Sequence, residues 1–171
     1  MFPIEGKYED ICLRELEPSD EAALVALYAD MGPPPSGQDS GAGWLSHAET
    51  TSTLVPRDDY MLAIDVSGEL TGIARLQVDS RADGRGEVGY AVRREFRGQG
   101  YATRAVIALS QMGFEMVGLH RLWAVCDVDN RASVGVLTRA GFSREGLLRH
   151  DRWDGEQWRD SVLFARLDPD A

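Results

Sequence analysis

Four arginines and two glycines are clustered in one short stretch, RREFRGQGYATRA, at residues 93–105. A helical apolar pattern begins directly after the second glycine, Gly100. The first N–H groups of a helix have no partner inside the helix and lie at the positive end of its dipole, so they attract anions. Gly98 and Gly100 carry no side chain, which lets a ligand approach the main chain closely. The stretch therefore predicts a phosphate site, with the forked donors of Arg97 beside it.

Two common phosphate motifs do not fit this stretch. A P-loop needs the pattern G-x-x-x-x-G-K-S/T, which does not occur in the chain. A dinucleotide-binding turn needs a third glycine three residues after the second, and Thr103 stands there instead. The spacing therefore excludes both of these classes.

The histidines and cysteines show no metal or redox pattern. His47, His120 and His150 lack metal-ligand spacing, and we assign them no chemistry. Cys12 and Cys126 stand in apolar, strand-like segments without a C-x-x-C pair, and we interpret them as reduced thiols. We therefore expect no metal site and a cytoplasmic protein.

The composition is that of a single acidic domain, residues 1–171, with a formal net charge of −10. Strong acidity argues against nonspecific binding of nucleic acid, which needs an extended basic face. No apolar run approaches the roughly 20 residues that span a bilayer, and the N-terminus lacks a signal-peptide pattern. We therefore expect no nucleic-acid or membrane partner.

Hydrophobic periodicity predicts the elements that position the glycines. Strands are predicted at residues 11–16, 60–66, 71–79, 86–92, 121–128, 142–150 and 157–167, and helices at 18–32, 101–116 and 130–141, with a further short helix within 44–55. Residues 32–43 are predicted as a loop because prolines and glycines break both helix and strand. Trp123, within an apolar strand, is assigned to the core. The order of elements predicts one mixed α/β domain.

The segment Arg97-Gly98-Gln99-Gly100-Tyr101-Ala102 resembles the Q/R-x-x-G-x-G/A signature of the GNAT acetyltransferase superfamily. Three further blocks agree in order and spacing: EVGYAV at 87–92, DVDNRASVGVLTRAGF at 127–142 and EGLLRHDRWDGEQWRDSVLFARL at 145–167. The last is similar to the C-terminal hairpin of the ribosomal-protein N-terminal acetyltransferases. Together these blocks cover about residues 60–167. The resemblance implies the GNAT acyl-CoA N-acyltransferase fold, a central mixed, mostly antiparallel sheet flanked by helices.

The resemblance also implies acetyl-CoA as cosubstrate, held mainly by main-chain groups. The pyrophosphate would bind Arg97 and the N–H groups of Gly98, Gln99, Gly100, Tyr101, Ala102 and Thr103. The main chain at Tyr90, Ala91 and Val92 would pair with the pantetheine arm, and Arg93, Arg94 and Arg104 would tune the local field. The cofactor half thus covers about residues 60–142, and the acceptor-side loops about 32–55 and 149–158.

Asn130 and Ser133 lie at the start of the predicted helix 130–141. Asn130 is placed to cap that helix, and the resemblance adds a bond to pantetheine. Ser133 matches a serine near the CoA sulfur that donates to the leaving thiolate. Many relatives use a tyrosine where Leu137 stands, and leucine donates no proton, so Ser133 is the candidate acid, directly or through water. The alternative for Ser133 is a local hydrogen bond on the helix surface.

Acetylation of an amine also requires a proton acceptor. An alkyl amine with a pKa near ~10 is mostly protonated at neutral pH, so a carboxylate or a water chain must remove a proton. By the resemblance, Glu87 is the candidate base. The alternative is a strand-end carboxylate paired with an arginine, and Asp79, Asp127 and Asp160 are rivals.

The sequence thus predicts an acyl-CoA-dependent N-acetyltransferase that acts by direct attack of a primary amine. The acceptor stays open between a protein or peptide N-terminus, an amino metabolite and an amine-containing antibiotic, and the branch resemblance favours the peptide. A non-catalytic acyl-CoA-binding sensor or scaffold is the alternative, to which Leu137 gives weight. Monomer and homodimer are both open.

Overall fold

The computed structural model describes residues 6–31 and 41–169. Its elements are β1 (Gly6–Tyr8), β2 (Ile11–Glu15), α1 (Glu21–Met31), α2 (Gly41–Ser52), β3 (Asp59–Val66), β4 (Glu69–Ser80), β5 (Arg85–Val92), α3 (Tyr101–Gln111), β6 (Arg121–Asp127), α4 (Arg131–Arg139), β7 (Ser143–Trp153) and β8 (Trp158–Leu167). Short 3-10 turns lie at Pro18–Asp20 and Arg94–Phe96, and a π-helical turn at Met112–Met116. The predicted order of elements is confirmed, with the short strand β1 added.

The strands form one sheet in the order β1-β2-β3-β4-β5-β6-β8-β7. Every neighbouring pair is antiparallel except β5 and β6, which run parallel and are connected by a crossover through α3. The fold is therefore the mixed, mostly antiparallel sheet that the resemblance implied.

Side-chain alternation along the strands gives the sheet two apolar faces. On one face, Leu62 and Leu76 belong to the larger core cluster together with Val106 and Leu109 of α3 and Leu137 of α4. Burial of such side chains removes apolar surface from water, at about 25 cal/mol per Å². This face is therefore covered by α3 and α4.

The opposite face packs against the N-terminal helices. Leu24 and Leu27 of α1 form a second cluster with Ala63 of β3 and Ile73 of β4, and Trp44 of α2 packs against it. We refer to this side of the sheet as the α1–α2 face. The two helix pairs thus sandwich the sheet.

The parallel pair β5–β6 is joined over only part of its length. Strand β5 pairs with β4 from Ser80↔Arg85 to Gly72↔Val92, yet its pairing with β6 ends at Glu87↔Trp123. Beyond that pair the two strands diverge, and the main chain of residues 88–92 has no strand partner on the β6 side. We call this opening the β5–β6 gap.

Three element boundaries differ from those predicted. Helix α2 begins at Gly41, so residues 41–43 are helical, and residues 32–40 lie outside the described part of the chain. The low helix propensity of glycine is overridden because Trp44 and Leu45 pack on the second cluster. The third helix is regular only to Gln111 and then widens into the π turn.

The other boundary difference concerns the C-terminal hairpin. Strand β7 continues to Trp153 and β8 begins at Trp158, so that residues 154–157 alone form the turn. Six of the ten residues of the predicted loop 149–158 therefore lie in strands, with a register irregularity between Leu148 and Arg152.

The close approach of β4 to β5 predicts different effects for two glycines. A Cβ added to Gly72 would lie 2.2 Å from the carbonyl oxygen of Ala91, so Gly72→Ala is expected to lower the free energy of unfolding by about 3 kcal/mol. Gly89→Ala is the matched control, since its Cβ would meet no atom within 4 Å, and we expect a change within about 1 kcal/mol. Urea unfolding measures the free energy of unfolding of both variants. Equal stabilities of Gly72→Ala and Gly89→Ala would contradict the close approach of β4 to β5.

Candidate active site

The turn between β5 and α3, residues 97–103, adopts a conformation that its glycines permit. Gly98 and Gly100 have φ of +79° and +81°, in the left-handed region that other residues rarely adopt. Gly100 is the N-cap of α3 and supplies no side-chain cap, so the first N–H groups of α3 stay available. A Cβ on Gly98 would meet no atom within 4 Å. This Gly-rich turn is therefore exposed, and its main-chain donors are open to a ligand.

The hydroxyl of Thr103, in the first turn of α3, is buried and has no hydrogen-bond partner among the described residues. A buried hydroxyl without a partner costs free energy. The carbonyl of Gln99, four residues earlier, instead accepts from Nη2 of Arg104 at 3.1 Å. An orphaned hydroxyl beside open N–H groups fits the pyrophosphate of acetyl-CoA that the resemblance implies.

The stretch at residues 93–104 has a less positive environment than the sequence indicates, because segments outside it supply carboxylates. Nη1 of Arg93 lies 3.5 Å from Glu69, and its Nη2 lies 2.5 Å from Glu95. Nε of Arg104 lies 2.8 Å from Asp10, in the turn between β1 and β2. The local field from these two arginines is therefore largely balanced by acidic neighbours.

Arg97 differs from Arg93 and Arg104. Its Nε donates to the carbonyl of Val92 at 3.0 Å, which folds the side chain over the end of β5. Within residues 6–31 and 41–169, no carboxylate lies within 4 Å of its guanidinium. The exposed Arg97 thus keeps a charge that an anion in the Gly-rich turn could use.

The main chain at Tyr90, Ala91 and Val92 borders the β5–β6 gap. The side chains of Tyr90 and Val92 point toward α3 and α4, whereas Ala91 packs on the α1–α2 face. The Tyr90 hydroxyl donates to the carbonyl of Ser133 at 3.3 Å and so links β5 to α4. Burial raises the pKa of Tyr90 to about 12, so the hydroxyl keeps its proton at neutral pH.

Asn130 caps α4, as the sequence predicted. Its Oδ1 accepts from the N–H of Ser133 at 3.1 Å, which places Ser133 in the first helical turn and near Tyr90. Leu137, one turn further on, is 1% exposed and belongs to the large core cluster. Position 137 therefore faces the core in this chain.

Glu87 lies at the closed end of the β5–β6 gap, in the last residue pair that joins the two strands. Burial raises the pKa of Glu87, nearby Asp79 raises it further, and Arg75 lowers it. No arginine of the described residues lies within 4 Å of its carboxylate. A half-buried carboxyl with a raised pKa is a stronger proton acceptor than an ordinary surface glutamate.

The assignment of Trp123 to the core is wrong. Alternation along β6 points Leu122 and Ala124 into the core, whereas Trp123 stands half-buried on the α1–α2 face. Its indole N–H donates to the carboxylate of Asp79. Trp123 therefore lies beside Glu87 and reaches across β5 to β4.

Two charged residues and one histidine on this face were not among the predicted site residues. Nε of Arg75 donates to Oδ1 of Asp59 at 2.9 Å, and Nε2 of His47 lies 2.9 Å from Oδ2 of Asp59. Although burial opposes it, the hydrogen bonds from Arg75 and His47 lower the pKa of Asp59. Polar residues alternate with Leu76 and Val78 along β4, and this pattern was the available sequence signal.

The rival carboxylates are occupied by other partners. Asp127 accepts from Nε of Arg159 at 3.1 Å and from Arg152 at 3.3 Å. The main-chain N–H of Asp129 and the Arg159 guanidinium lower the pKa of Asp127, which makes it a weaker base. Asp160 accepts from the main-chain N–H of His150 at 2.9 Å. Of the four carboxylates considered, Glu87 and Asp79 lie closest to the closed end of the gap.

Two negative findings apply to the described part of the chain. No group of three or more His, Cys, Asp or Glu side chains there could hold a metal ion. None of the helices there has the length and apolar character required to cross a membrane.

Comparison with known proteins gives a family and several relatives. A family model described as "Acetyltransferase (GNAT) domain" matches residues 10–143. The putative ribosomal N-acetyltransferase YdaF of Bacillus subtilis is 29% identical, over 93% of this chain and 92% of its own length. The spermidine N(1)-acetyltransferase of Escherichia coli K12 is 28% identical over 64% of this chain, and the match spans 59% of that relative.

Solved structures agree with these matches. RimJ of Mycobacterium smegmatis, in complex with CoA-disulfide, superposes with a TM-score of 0.83 and 26% identity, over 98% of this chain and 88% of that chain. The structure of RimL, a ribosomal L7/L12 α-N-protein acetyltransferase, superposes with a TM-score of 0.82 and 22% identity, over 98% of this chain and 96% of that chain. At this identity, the likeness to RimL shows a shared fold alone.

The cap of α4 generates a prediction that needs no ligand. Asn130→Ala removes the acceptor for the Ser133 N–H and is expected to lower the free energy of unfolding by about 1 kcal/mol. Asn130→Ser retains a capping oxygen and should recover most of that loss. Thermal unfolding of the wild-type protein and the two variants measures these changes in stability. An unchanged melting temperature for Asn130→Ala would contradict the capping role.

Proposed function

Because the chain belongs to the GNAT acetyltransferase family, we propose that it transfers an acetyl group from acetyl-CoA to a primary amine. The supporting observation is the β5–β6 gap, which has the Gly-rich turn near its open end and Glu87 at its closed end. An extended ligand that binds phosphate at one end would thus present its other end to a carboxyl. This arrangement suits acyl transfer from a long cosubstrate.

The proposed cosubstrate contacts follow the length of the gap. The pyrophosphate is held by Arg97 and the N–H groups of the Gly-rich turn, with the unpaired hydroxyl of Thr103 as a further donor. The pantetheine arm pairs with the free main chain at residues 90–92, where strand pairing with β6 is absent. Asn130 is proposed to bond the same arm while it caps α4.

Glu87 and Ser133 are the proposed proton-transfer groups. Acetyl-CoA supplies an activated thioester carbonyl. Glu87 accepts one proton from the ammonium group, and the neutral amine then forms a C–N bond to the carbonyl carbon as the C–S bond breaks. Ser133 donates to the departing sulfur, which leaves as a thiol. The ammonium loses two protons and the sulfur gains one, so one proton is released to solvent.

The proposed acceptor is a cationic amine, with a protein N-terminus favoured. Asp59, Asp79 and Glu87 place three carboxylates on the α1–α2 face. Arg75 is bound to Asp59, and no arginine of the described residues lies within 4 Å of Asp79 or Glu87, an arrangement that attracts an ammonium group. The relative that aligns over nearly the whole chain is named as a putative ribosomal N-acetyltransferase. Spermidine, from the name of another relative, is the comparison substrate.

The proposal is tested by following thiol release from acetyl-CoA with peptides, spermidine and aminoglycosides as acceptors, and by mass spectrometry of the products. We expect turnover that depends on the amine. Tight binding of CoA without turnover on any amine would instead support the non-catalytic sensor.

The proton-transfer groups give a separate prediction. Glu87→Gln should lower kcat by about 10²-fold, and Ser133→Ala by about 10-fold, since each removes one proton-transfer group.

The Gly-rich turn gives an independent prediction about cosubstrate binding. Gly98 and Gly118 both have positive φ and no atom within 4 Å of an added Cβ, so substitution by alanine should cost each about the same stability, about 1 kcal/mol. Only Gly98→Ala places a methyl group where the pyrophosphate is proposed to lie. Calorimetry should show CoA affinity reduced at least about tenfold for Gly98→Ala and unchanged for Gly118→Ala. Equal affinities would overturn the assignment of the turn.

A further inference from the structure

Strand register brings a row of polar side chains together on the α1–α2 face. Asp59, Gln77, Glu87 and Trp123 stand side by side on β3, β4, β5 and β6, because Asp59 pairs with Gln77, Gln77 with Glu87, and Glu87 with Trp123. Side chains that share a row in adjacent strands lie about 5 Å apart at Cβ. Glu87 is therefore flanked directly by side chains of β4 and β6, and Asp59 lies one strand further away, on β3.

Two charges of opposite sign flank Glu87 from strand β4. Arg75 and Asp79 lie two residues before and after Gln77, the direct neighbour of Glu87, and so occupy diagonal positions. Asp79 is the extra residue of a β-bulge, since register shifts between Val78 and Ser80. A cation and an anion thus face one carboxyl from opposite ends of the same strand segment.

Both flanking groups are held in place by neighbours. Arg75 donates from Nε and Nη2 to the two oxygens of Asp59, at 2.9 and 2.5 Å, and Asp59 is in turn bound to His47 of α2. Asp79 accepts from the indole N–H of Trp123. In the described ranges, no cation lies within 4 Å of Asp79. Neither charge can swing away from Glu87 without breaking these contacts.

We propose that Arg75 and Asp79 are positioning residues that set the charge state of Glu87 in opposite directions, Arg75 favouring the carboxylate and Asp79 favouring the protonated carboxyl. This inference rests on the proposed role of Glu87 as base. The other charged or titratable groups on this face are Asp59 and His47, Arg85 on β5 itself, and Arg121 of β6, which pairs with Glu145.

The direction of each effect follows from charge. Arg75 lowers the pKa of Glu87 and Asp79 raises it, in addition to the larger upward effect of burial. Removing Arg75 therefore moves the protonation of Glu87 to higher pH, and removing the charge of Asp79 moves it to lower pH. Because a base must be deprotonated to act, the acid limb of the rate profile follows each change.

The experiment is the pH dependence of kcat/KM for the whole protein, with acetyl-CoA and the best acceptor found. Arg75→Gln should move the acid limb up by about one pH unit, and Asp79→Asn should move it down by about one pH unit. Arg75→Lys keeps the charge and should restore most of the wild-type profile. Arg81→Gln and Asp83→Asn are matched controls beyond the end of β4, since their side chains bind Asp58 and Ser80, and should leave the limb in place.

If the two substitutions acted only through a loss of packing, they would lower kcat/KM at every pH. They would not move the acid limb of the pH profile up in one variant and down in the other. Shifts of the same sign in both variants, or no shift in either, would overturn the proposal. Carbon-13 NMR titration of the Glu87 carboxyl, assigned with Glu87→Gln, gives the same comparison without substrate. If the wild-type protein shows no turnover, the proposed function fails, and this titration still decides whether Arg75 and Asp79 act on Glu87 in opposite directions.

Discussion

The early end of pairing between β5 and β6 is the constraint on which the rest of the structure depends. Each strand is paired along its length with an antiparallel neighbour, β5 with β4 and β6 with β8, so the sheet consists of two antiparallel halves. The halves are joined only from Arg85↔Arg121 to Glu87↔Trp123. Past that point, the main-chain N–H and C=O groups of β5 that face β6 have no strand partner, although the sheet is otherwise continuous. Such groups require a hydrogen-bond partner when they are buried. A ligand with amide groups can supply these hydrogen bonds.

The distribution of charge depends on the same arrangement. The chain is acidic overall, yet its arginines and carboxylates are sorted by tertiary contacts into different environments. Arg93 is balanced by Glu69 of β4 and by the neighbouring Glu95, and Arg104 by Asp10, whereas Arg97 keeps its charge beside the open N–H groups. On the α1–α2 face, Arg75 is bound to Asp59, and Asp79 and Glu87 have no arginine within 4 Å among the described residues. The proposed anionic cosubstrate and the proposed cationic acceptor would thus approach from two faces of one sheet.

Most of the fold could be predicted because its signals are local. The alternating and helical spacing of apolar residues predicted the strands and helices. Asn130 was recognisable as a helix cap because it stands directly before an apolar helical pattern. The errors lie where packing outweighs local preference. Glycine-rich residues at the start of α2 are helical because the helix packs on α1, and Trp123 leaves the core because its neighbours on β6 take the buried face. Arg75 was not predicted as part of the site, because its partner Asp59, and His47 bound to Asp59, belong to other elements.

The amino-acid sequence by itself determined the order of elements, the Gly-rich turn and the helix starts, since these depend on backbone freedom, capping and spacing over a few residues. Tertiary structure alone decided which charges remain available and which groups surround Glu87. Those properties arise from strand register and from contacts between segments far apart in the chain, such as Asp10 with Arg104 and Asp79 with Trp123. An ionisable group takes its chemistry from its neighbours in space, and a one-dimensional pattern does not contain those neighbours.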